Sequence, residues 1–546
     1  MGLIISLIVY IYEDLVRVFS PRDVVLDNIK DAMTQADSYK DWKNAASDYD
    51  RRVGNDKWRR EEKSDEYDYQ LIRRRLDAIQ DAMDKDDIEA LVYLLRSGLV
   101  RGLGGMSGGS LQLHAMAGTK DLIEEYIDTM CTAIKHLSQM PDNFFAPITK
   151  QRFFTDMRQA YGRSALLLSG GSALGLHHFG VIKCMHEAHV LPKIICGASI
   201  GALLTGLLAV HTTEELPRLF EPDALTFEAF ERLGPGSARR KIKRFLKHGH
   251  LMDVDRLQEF CISNIGNYTF LEAYHRTFRP VNIAVVGKER DEVPWLLNYL
   301  TAPNVLIWSA AVASCAMPGV FAPVDILAKD HEGNIVKWNP SKHYFSDLSL
   351  ENDLPMTRLS ELFNVNHFIV SQVNPHVVPF LNLFMRYDKD KFHCVFFFEK
   401  VRDIVMSELH HLAINFSILV PRSFNFFQHA LSQKYVADIT ITPELSYDTD
   451  LKNLLRNPSE DLCRHSMLRG ERSTYKYLPQ IEICTKIETC LEDCLREFRH
   501  ASDARKASKD DEPSEDTTSL LAISAPYDVP ELDTQTDPYA TPRRSM

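Results

Sequence analysis

Basic residues are not in excess in this sequence of 546 residues. The chain contains 63 Lys and Arg against 75 Asp and Glu, which gives a formal net charge of −12. This balance supplies no general electrostatic attraction for nucleic acid, so we expect no nucleic-acid partner. An anionic partner has to be bound by a local basic patch.

Closely paired cysteines are missing as well. The ten cysteines are scattered between Cys131 and Cys494, and no C-x-x-C pair occurs among them. Neither a zinc site nor a disulfide framework is indicated by this spacing. We therefore expect no metal ion. We also expect the chain to lie in a reducing environment, facing the cytosol.

The N-terminus lacks an apolar run long enough to cross a bilayer. The stretch from Met1 to Tyr12 reads MGLIISLIVYIY, which falls well short of the roughly 20 residues that a membrane-spanning helix needs. It also lacks the basic leading region of a secretory signal. We expect residues 1–22 to form a short anchor that enters one leaflet, and Met1-Gly2 with Ser6 matches the pattern for glycine acylation.

The composition is that of a globular protein, with 45% apolar and 25% charged residues. It excludes a wholly disordered, collagenous or multi-span membrane chain.

The N-terminal part has apolar residues at intervals of three and four, as at Ile72, Leu76, Ile79 and Met83, which predicts helices. The glycines of LRSGLVRGLGGMSGG interrupt this pattern and favour a helix end and a loop.

After Tyr161 the pattern changes to short apolar runs, which read SALLL, KIIC, VNIAVVG and HFIVSQV, separated by glycine turns and helical stretches. Such runs predict a mainly parallel sheet covered on both faces, an α/β fold in three layers flanked by N- and C-terminal helical regions. The predicted segments are the anchor (1–22), an N-terminal helical domain (37–150), the α/β domain (164–380), a C-terminal helical region (381–500) and a disordered tail (501–546).

One serine lies in a pattern typical of a nucleophile. The stretch IICGASIGALL places Ser199 between Gly197 and Gly201. Gly-x-Ser-x-Gly after an apolar strand and before a helix is the sequence of a nucleophile elbow. The glycines leave room for the sharp turn, and the following helix directs its N-terminus at developing negative charge. Ser199 is therefore the predicted nucleophile, and a purely structural turn is the alternative.

A second glycine-rich turn, SGGSALG, joins another apolar run to another helix. Its backbone N–H groups are suited to an oxyanion, and we expect Gly170, Gly171 and Ser172, with Gly175 in the same loop, to form that site. A phosphate-binding loop is the alternative. The loop lacks the Lys-Ser/Thr ending of a P-loop and the glycine spacing of a dinucleotide site.

The residues alone leave the base for Ser199 open. His343, His367 and His376 are candidates in the chain order of α/β hydrolases. Asp347, within YFSDLSLENDLP, is another candidate. A partly buried aspartate has a raised pKa and is able to take the serine proton directly.

Together these motifs resemble the patatin-like phospholipase superfamily, and within it the fungal and plant triacylglycerol lipase branch. SGGSALG is similar to its glycine loop, GASIG to its elbow, and Asp347-Leu348 to its catalytic Asp-Gly motif. SYKDWKNAASDYDRRVGNDKWR, LLRSGLVRGLGGM, WSAAVASCAMPGVFAPV, SQVNPHVVPF and DITITP look like further signatures of that branch. The resemblance covers roughly residues 37 to 495.

The resemblance implies a dyad of Ser199 and Asp347 without histidine, and no cofactor. It implies release of fatty acids from stored triacylglycerol through an acyl-enzyme. The implied location is a lipid droplet or the endoplasmic reticulum membrane, facing the cytosol. The alternatives are a phospholipase A, a lysophospholipid acyltransferase, and a catalytically weak lipid-droplet scaffold.

The sequence departs from the family pattern at two positions. Leu348 follows Asp347 where family members usually carry glycine, which strains the backbone if that position needs a positive φ. Ser172 stands where patatins usually have a third glycine, although serine still offers its backbone N–H.

A basic amphipathic stretch, ARRKIKRFLKHGH, begins at Ala238. It predicts a helix that either lies on an anionic lipid surface or covers the core with a solvated outer face. His248 and Asp253 also match the H-x-x-x-x-D pattern of glycerolipid acyltransferases, a weak signal because only two positions are fixed.

Overall fold

The computed structural model divides into two compact units, Met1–Leu495 and Arg496–Met546, and all contacts discussed below lie in the first. The residues described are 23–141, 145–221, 237–287, 295–316, 320–322, 324–338, 345–346, 355–375, 378, 437–444, 450 and 456–507. The predicted anchor, residues 1–22, lies outside them. Within these described ranges, no helix is both long and apolar enough to cross a membrane.

Helices make up the N-terminal part of the described chain. They are α1 (Val24–Gln35), α2 (Tyr39–Val53), α3 (Asn55–Arg60), α4 (Tyr69–Asp84), α5 (Ile88–Gly98), α6 (Gly109–His114), α7 (Asp121–Gln139) and α8 (Pro147–Tyr161).

Capping residues and apolar spacing account for these helices. In α4 the carboxylate of Asp68 accepts a hydrogen bond from the N–H of Leu71 at 2.9 Å and so caps the helix N-terminus. Ile72, Leu76 and Ile79 are buried, as their spacing predicts. The glycine-rich stretch after α5 forms a loop with a short 3₁₀ turn at Leu103–Gly105, so the predicted interruption is confirmed.

The α/β part contains nine strands among the described residues. They are β1 (Arg163–Leu168), β2 (Ile194–Gly197), β3 (Val281–Gly287), β4 (Trp295–Leu297), β5 (Leu327–Lys329), β6 (Ile335–Lys337), β7 (Phe345–Ser346), β8 (Val365–Ser371) and β9 (Ile439–Ile441). The main sheet has the order β4-β3-β2-β1-β8-β9, and β7 pairs with β3. Strands β1, β2, β3, β8 and β9 are parallel, whereas β4 and β7 run antiparallel to β3.

The remaining helices connect or flank these strands. They are α9 (Leu176–Glu187), α10 (Ile200–Val210), α11 (Leu216–Leu219), α12 (Ser237–His248), α13 (Val254–Ile265), α14 (Phe270–Thr277), α15 (Ile307–Cys315), α16 (Met356–Phe363), α17 (Glu460–Tyr475) and α18 (Leu478–Ala507).

Alternate residues of β1 face two separate apolar clusters. Leu166 and Leu168 pack in a large cluster with residues of α9, α10 and α15. Ala165 and Leu167 pack on the opposite face in a cluster that includes Leu359 of α16. The parallel sheet is therefore covered on both faces, and the predicted α/β fold is confirmed.

The C-terminal region contributes to the sheet as well as to the helical layers. Strand β9 extends the sheet beside β8 in parallel register, with Ile369 opposite Ile439, although its sequence lies in the segment expected to be helical. Helix α18 continues to Ala507, past the predicted start of the disordered tail at residue 501. Residues 508–546 lie outside the described residues, and the predicted segment boundaries stay predictions.

Candidate active site

Ser199 lies in the turn between β2 and α10, and it is partly exposed. Its backbone has φ 52° and ψ −121°, a conformation that residues with a side chain rarely adopt. Helix α10 begins at the next residue, so the positive end of its dipole lies at the serine. The strand, the strained turn and the helix thus have the geometry that the sequence pattern predicts.

The two glycines beside Ser199 are required by close packing. A Cβ atom at Gly197 would collide with the carbonyl oxygen of Gly201, and one at Gly201 would collide with the carbonyl oxygen of Leu168. The N–H of Ala198 also donates to the carbonyl of Leu168 at 3.1 Å. The turn is therefore packed directly against the end of β1.

Ser314, near the end of α15, holds the backbone of the turn. The N–H of Ser199 donates to Ser314 Oγ at 2.9 Å, and Ser314 Oγ donates to the carbonyl of Ala284 in β3 at 2.7 Å. Ser314 is only 2% exposed. Because the N–H of Ser199 is used in this contact, an oxyanion has to be bound by other N–H groups.

The glycine loop follows β1 and packs beside the Ser199 turn. Gly171 has φ 154°, and a Cβ there would lie 2.7 Å from a side-chain atom of Val373. Ser172 has φ 53°, so serine occupies a left-handed conformation where patatins usually have glycine. Gly175 packs against the side chain of Ile200. Within the described ranges, the N–H groups of Gly170 and Gly171 make no backbone hydrogen bond, which leaves them suited to bind an oxyanion.

His178 holds the start of this glycine loop through two hydrogen bonds. Its Nε2 lies 3.0 Å from the carbonyl oxygen of Ser169, and its Nδ1 lies 2.6 Å from Ser371 Oγ. A carbonyl only accepts, so Nε2 carries the hydrogen and Nδ1 accepts from the serine hydroxyl. Burial lowers the pKa of His178 to about 4, which keeps the ring neutral in this role.

The histidine candidates for the base divide into two groups. His367 is buried in β8 with Nδ1 3.1 Å from Ser164 Oγ. Ser164 is four residues before Leu168 in β1, so this histidine lies about 13 Å from the end of the sheet where Ser199 turns. His343 and His376 lie outside the described residues.

Asp347 and Leu348 also lie outside the described residues, so the predicted dyad stays a prediction. The two residues before Asp347 form β7, which pairs with β3. Ser346 lies opposite Val286, and Phe345 lies opposite Gly287. The same strand β3 holds Ser314 through the carbonyl of Ala284. The chain therefore reaches residue 346 beside the strand to which Ser314 anchors the Ser199 turn.

The carboxylate of the acyltransferase pattern, that of Asp253, is paired with an arginine. Asp253 lies 2.7 Å from the guanidinium of Arg244, and this hydrogen-bonded pairing lowers the pKa of Asp253. The side chain of His248 is outside the described part of the structure. Among the described residues, no cluster of three or more His, Cys, Asp or Glu side chains is arranged to hold a metal ion.

Two positioning residues of this site were not predicted from the sequence. Ser314 contacts the turn from 115 residues away, and His178 contacts Ser371 from 193 residues away. Neither has a local pattern that marks it. The only signal for Ser314 was its place in the segment WSAAVASCAMPGVFAPV, which resembles a lipase signature.

The fold and site define an α/β protein with a strained serine between a parallel strand and a helix, beside a glycine loop. Two family models match: a patatin-like phospholipase over residues 166–347 and a domain of unknown function (DUF3336) over residues 25–159. The chain belongs to the patatin-like phospholipase family, in the branch that contains fungal and plant triacylglycerol lipases. The family predicted from the motifs is thus confirmed.

Three relatives support this assignment. The chain is 34% identical to triacylglycerol lipase 5 of Saccharomyces cerevisiae, over 85% of this chain and 64% of the relative. It is 35% identical to triacylglycerol lipase ptl3 of Schizosaccharomyces pombe, over 83% and 94%. It is 32% identical to triacylglycerol lipase SDP1L of Arabidopsis thaliana, over 88% and 60%. The chain thus spans less than two thirds of the first and third of these relatives.

Similarity to solved structures is low. VipD from Legionella pneumophila is 12% identical, with a TM-score of 0.26 over 56% of this chain and 67% of that chain. A similarity at this level supports no conclusion about activity.

Proposed function

We propose that this chain is a lipid ester hydrolase that releases fatty acids from triacylglycerol. The observation that carries the proposal is the strained backbone of Ser199 between β2 and α10, with φ 52° and ψ −121°. The relatives named as triacylglycerol lipases supply the class of substrate.

In the proposed reaction, Ser199 Oγ attacks the ester carbonyl carbon while its proton passes to the carboxylate of Asp347. The N–H groups of Gly170 and Gly171 stabilise the oxyanion. The intermediate collapses to an acyl-enzyme, and the leaving glyceride oxygen takes the proton from Asp347. Water then attacks the acyl-enzyme, again with Asp347 as base, and releases the fatty acid.

The proposed place of action is the surface of a lipid droplet or of the endoplasmic reticulum membrane, facing the cytosol. A long-chain triacylglycerol is found at such an interface rather than free in water. The apolar stretch in residues 1–22 supports this location from the sequence.

The test measures fatty acid released from emulsified triacylglycerol and from phospholipid by the full chain and by the variants Ser199→Ala and Asp347→Asn. We expect the wild type to favour triacylglycerol and both variants to lose at least about 1,000-fold in rate, because each removes a reacting group. Ser263→Ala, an exposed serine on α13, is the matched control and should keep full activity.

The outcomes separate the candidate functions. Full activity of Ser199→Ala would exclude a serine hydrolase, and full activity of Asp347→Asn would exclude the dyad. Greater release from phospholipid would assign a phospholipase. Acyl transfer to added lysophospholipid in place of release would assign an acyltransferase, and a wild type inactive on every lipid would favour a scaffold.

A further inference from the structure

Helix α12 has an apolar stripe bordered by basic residues. By helical spacing, Ala238, Ile242, Phe245 and Leu246 share one face of about 100°. The rest of the helix is basic, with Arg239, Arg240, Lys241, Lys243, Arg244 and Lys247, and the segment Ser237–His248 contains no acidic residue. This arrangement occurs in a chain whose net charge is −12, so the positive charge is strictly local.

The two large apolar side chains near the end of α12 are turned away from the protein core. Phe245 is 48% exposed and Leu246 is 80% exposed. On the other side of the helix, Arg244 forms its ion pair with Asp253 at 2.7 Å and is only partly exposed. A helix that covers a core buries its apolar side chains and exposes its charges. The exposure of Phe245 and Leu246 therefore favours a lipid surface over a solvated cover of the core as the role of α12.

The basic flanks select the partner that covers this stripe. Helices that lie in a membrane surface insert aromatic and aliphatic side chains between the lipids and place Lys and Arg at the headgroups. Each basic side chain near an anionic headgroup layer adds about 1 kcal/mol, which is about a fivefold gain in binding. An anionic lipid surface therefore matches both the exposed apolar pair and the exposed lysines Lys243 and Lys247 of α12.

The segment after α12 contacts the segment after α15. The N–H of Met252, four residues after the end of α12, donates to the carbonyl of Val320 at 2.8 Å, and Met252 is buried. Val320 is six residues after Ser314, so the chain places it within about 20 Å of the residue that holds the Ser199 turn. The segment that follows α12 is thus hydrogen-bonded to the segment that follows α15, the helix that carries Ser314.

We infer that α12 is an interfacial docking helix that binds an anionic lipid surface through Phe245 and Leu246 and the basic residues beside them. The inference rests on the proposed function for its purpose, which is to bring lipid esters to Ser199. The docking itself does not depend on catalysis. It assigns the lipid surface to a folded helix of the α/β part, in addition to residues 1–22.

The test is co-sedimentation of the full chain with phosphatidylcholine vesicles prepared with and without phosphatidylserine. The variants are Phe245→Ser/Leu246→Ser, which removes the exposed apolar pair, and Lys243→Glu/Lys247→Glu, which reverses two exposed charges. We expect each pair to reduce binding to the phosphatidylserine vesicles by at least about tenfold. Wild-type binding should also weaken as salt is added.

Matched controls lie elsewhere on the surface. Ile335→Ser/Val336→Ser removes two exposed apolar side chains of β6, which are 48% and 42% exposed. Lys57→Glu/Lys63→Glu reverses two exposed charges in the N-terminal part. Both control pairs should bind vesicles as the wild type does. Equal thermal unfolding midpoints for all four pairs would establish that they are folded.

Three results would overturn the inference. They are wild-type levels of binding in either α12 variant, equal wild-type binding to vesicles without phosphatidylserine, and an equal loss in the control pairs. A failure of the proposed function is detected by two separate measurements. Ser199→Ala should still bind vesicles, and the α12 variants should still hydrolyse a water-soluble short-chain ester at the wild-type rate if Ser199 is the nucleophile.

Discussion

At the scale of single residues, the backbone of Ser199 is held in an unfavourable conformation by a hydrogen bond to a second serine. A positive φ at a residue with a side chain costs of the order of 1–3 kcal/mol, and surrounding contacts have to offset it. Ser314 supplies one such contact, because its hydroxyl accepts from Ser199 and donates to Ala284 in β3. It is a positioning residue that fixes the turn against the sheet.

The variant Ser314→Ala tests this role. It leaves the N–H of Ser199 and the carbonyl of Ala284 without this partner, so we expect kcat on triacylglycerol to fall about tenfold or more with little change in KM. Labelling of Ser199 by a serine-reactive phosphonate should slow by a similar factor. Ser314→Thr, which keeps the hydroxyl, should restore part of the rate.

Ser309→Ala is the control for Ser314→Ala on the same helix. Ser309 is equally buried, and its hydroxyl bonds to the carbonyls of Leu306 and Leu327 rather than to the Ser199 turn. Both variants should lose about 1–3 kcal/mol of folding free energy. Only Ser314→Ala should slow phosphonate labelling, and equal slowing in both would assign Ser314 a merely structural role.

At the scale of elements, α10 is fixed at both ends. Its N-terminus begins beside Ser199, and its C-terminus is capped by a buried arginine from the segment before β3. Arg279 is 6% exposed and donates to the carbonyl of Leu208 at 2.5 Å and to that of His211 at 3.2 Å. Burial lowers the pKa of Arg279 to about 10, so the guanidinium stays charged at neutral pH and complements the negative end of the helix dipole.

The variant Arg279→Met leaves those carbonyls without their donor in a buried place. We expect it to lower the free energy of unfolding by about 2–4 kcal/mol and the thermal midpoint by several degrees. Arg276→Met is the control, because its ion pair with Glu215 has side chains that are 39% and 37% exposed and contributes under about 1 kcal/mol. Equal midpoints for the two variants would contradict the capping role of Arg279.

At the scale of the whole molecule, one buried carboxylate joins the N-terminal helices, the sheet and α18. Glu488 accepts from Arg101 at 2.9 Å, from Arg158 at 3.2 Å and from the N–H of Ser164 at 3.0 Å. Ser164 Oγ also donates to Glu488 and accepts from His367. The residues of this cluster come from α8, β1, β8, α18 and the loop after α5, so they are brought together only when the unit folds.

Three buried histidines make the stability of this unit depend on pH. Burial lowers the pKa of His177, His178 and His367 to about 4, from 6.5. Between about pH 6.5 and pH 4 the unfolded chain binds protons that the folded chain does not, so the free energy of unfolding falls as the pH falls. Each histidine contributes a loss of about 1.4 kcal/mol per pH unit in this window.

Thermal unfolding followed from about pH 7 to about pH 5 tests this dependence. We expect the midpoint to fall steadily below about pH 6.5, and His367→Gln, which has no titrating ring, to remove about one third of the decrease due to these histidines. His136→Gln, at a position where the side chain is 43% exposed, is the control and should retain the full decrease. A midpoint independent of pH would contradict the burial of neutral imidazoles.

Much of the local structure was predictable from the sequence because its causes are local. The four apolar runs became β1, β2, β3 and β8, and the spacing around Ile72 became the buried face of α4. Strands β4, β7 and β9 have two or three residues each. Such short segments carry too little periodicity to be recognised, and their extended form comes from pairing with longer neighbours.

The sequence by itself determined the family, the sheet that carries Ser199 and the glycines that its turn requires, because strand length, turn packing and apolar spacing are properties of neighbouring residues. Only the tertiary structure decided that Ser314 and His178 hold the Ser199 turn and the glycine loop, that His367 lies toward the other end of its strand, and that Phe245 and Leu246 of α12 face outward. These facts depend on which distant segments pack together. Spacing along the chain predicts which side chains share a face of a helix, and packing alone decides whether that face meets the core or the solvent.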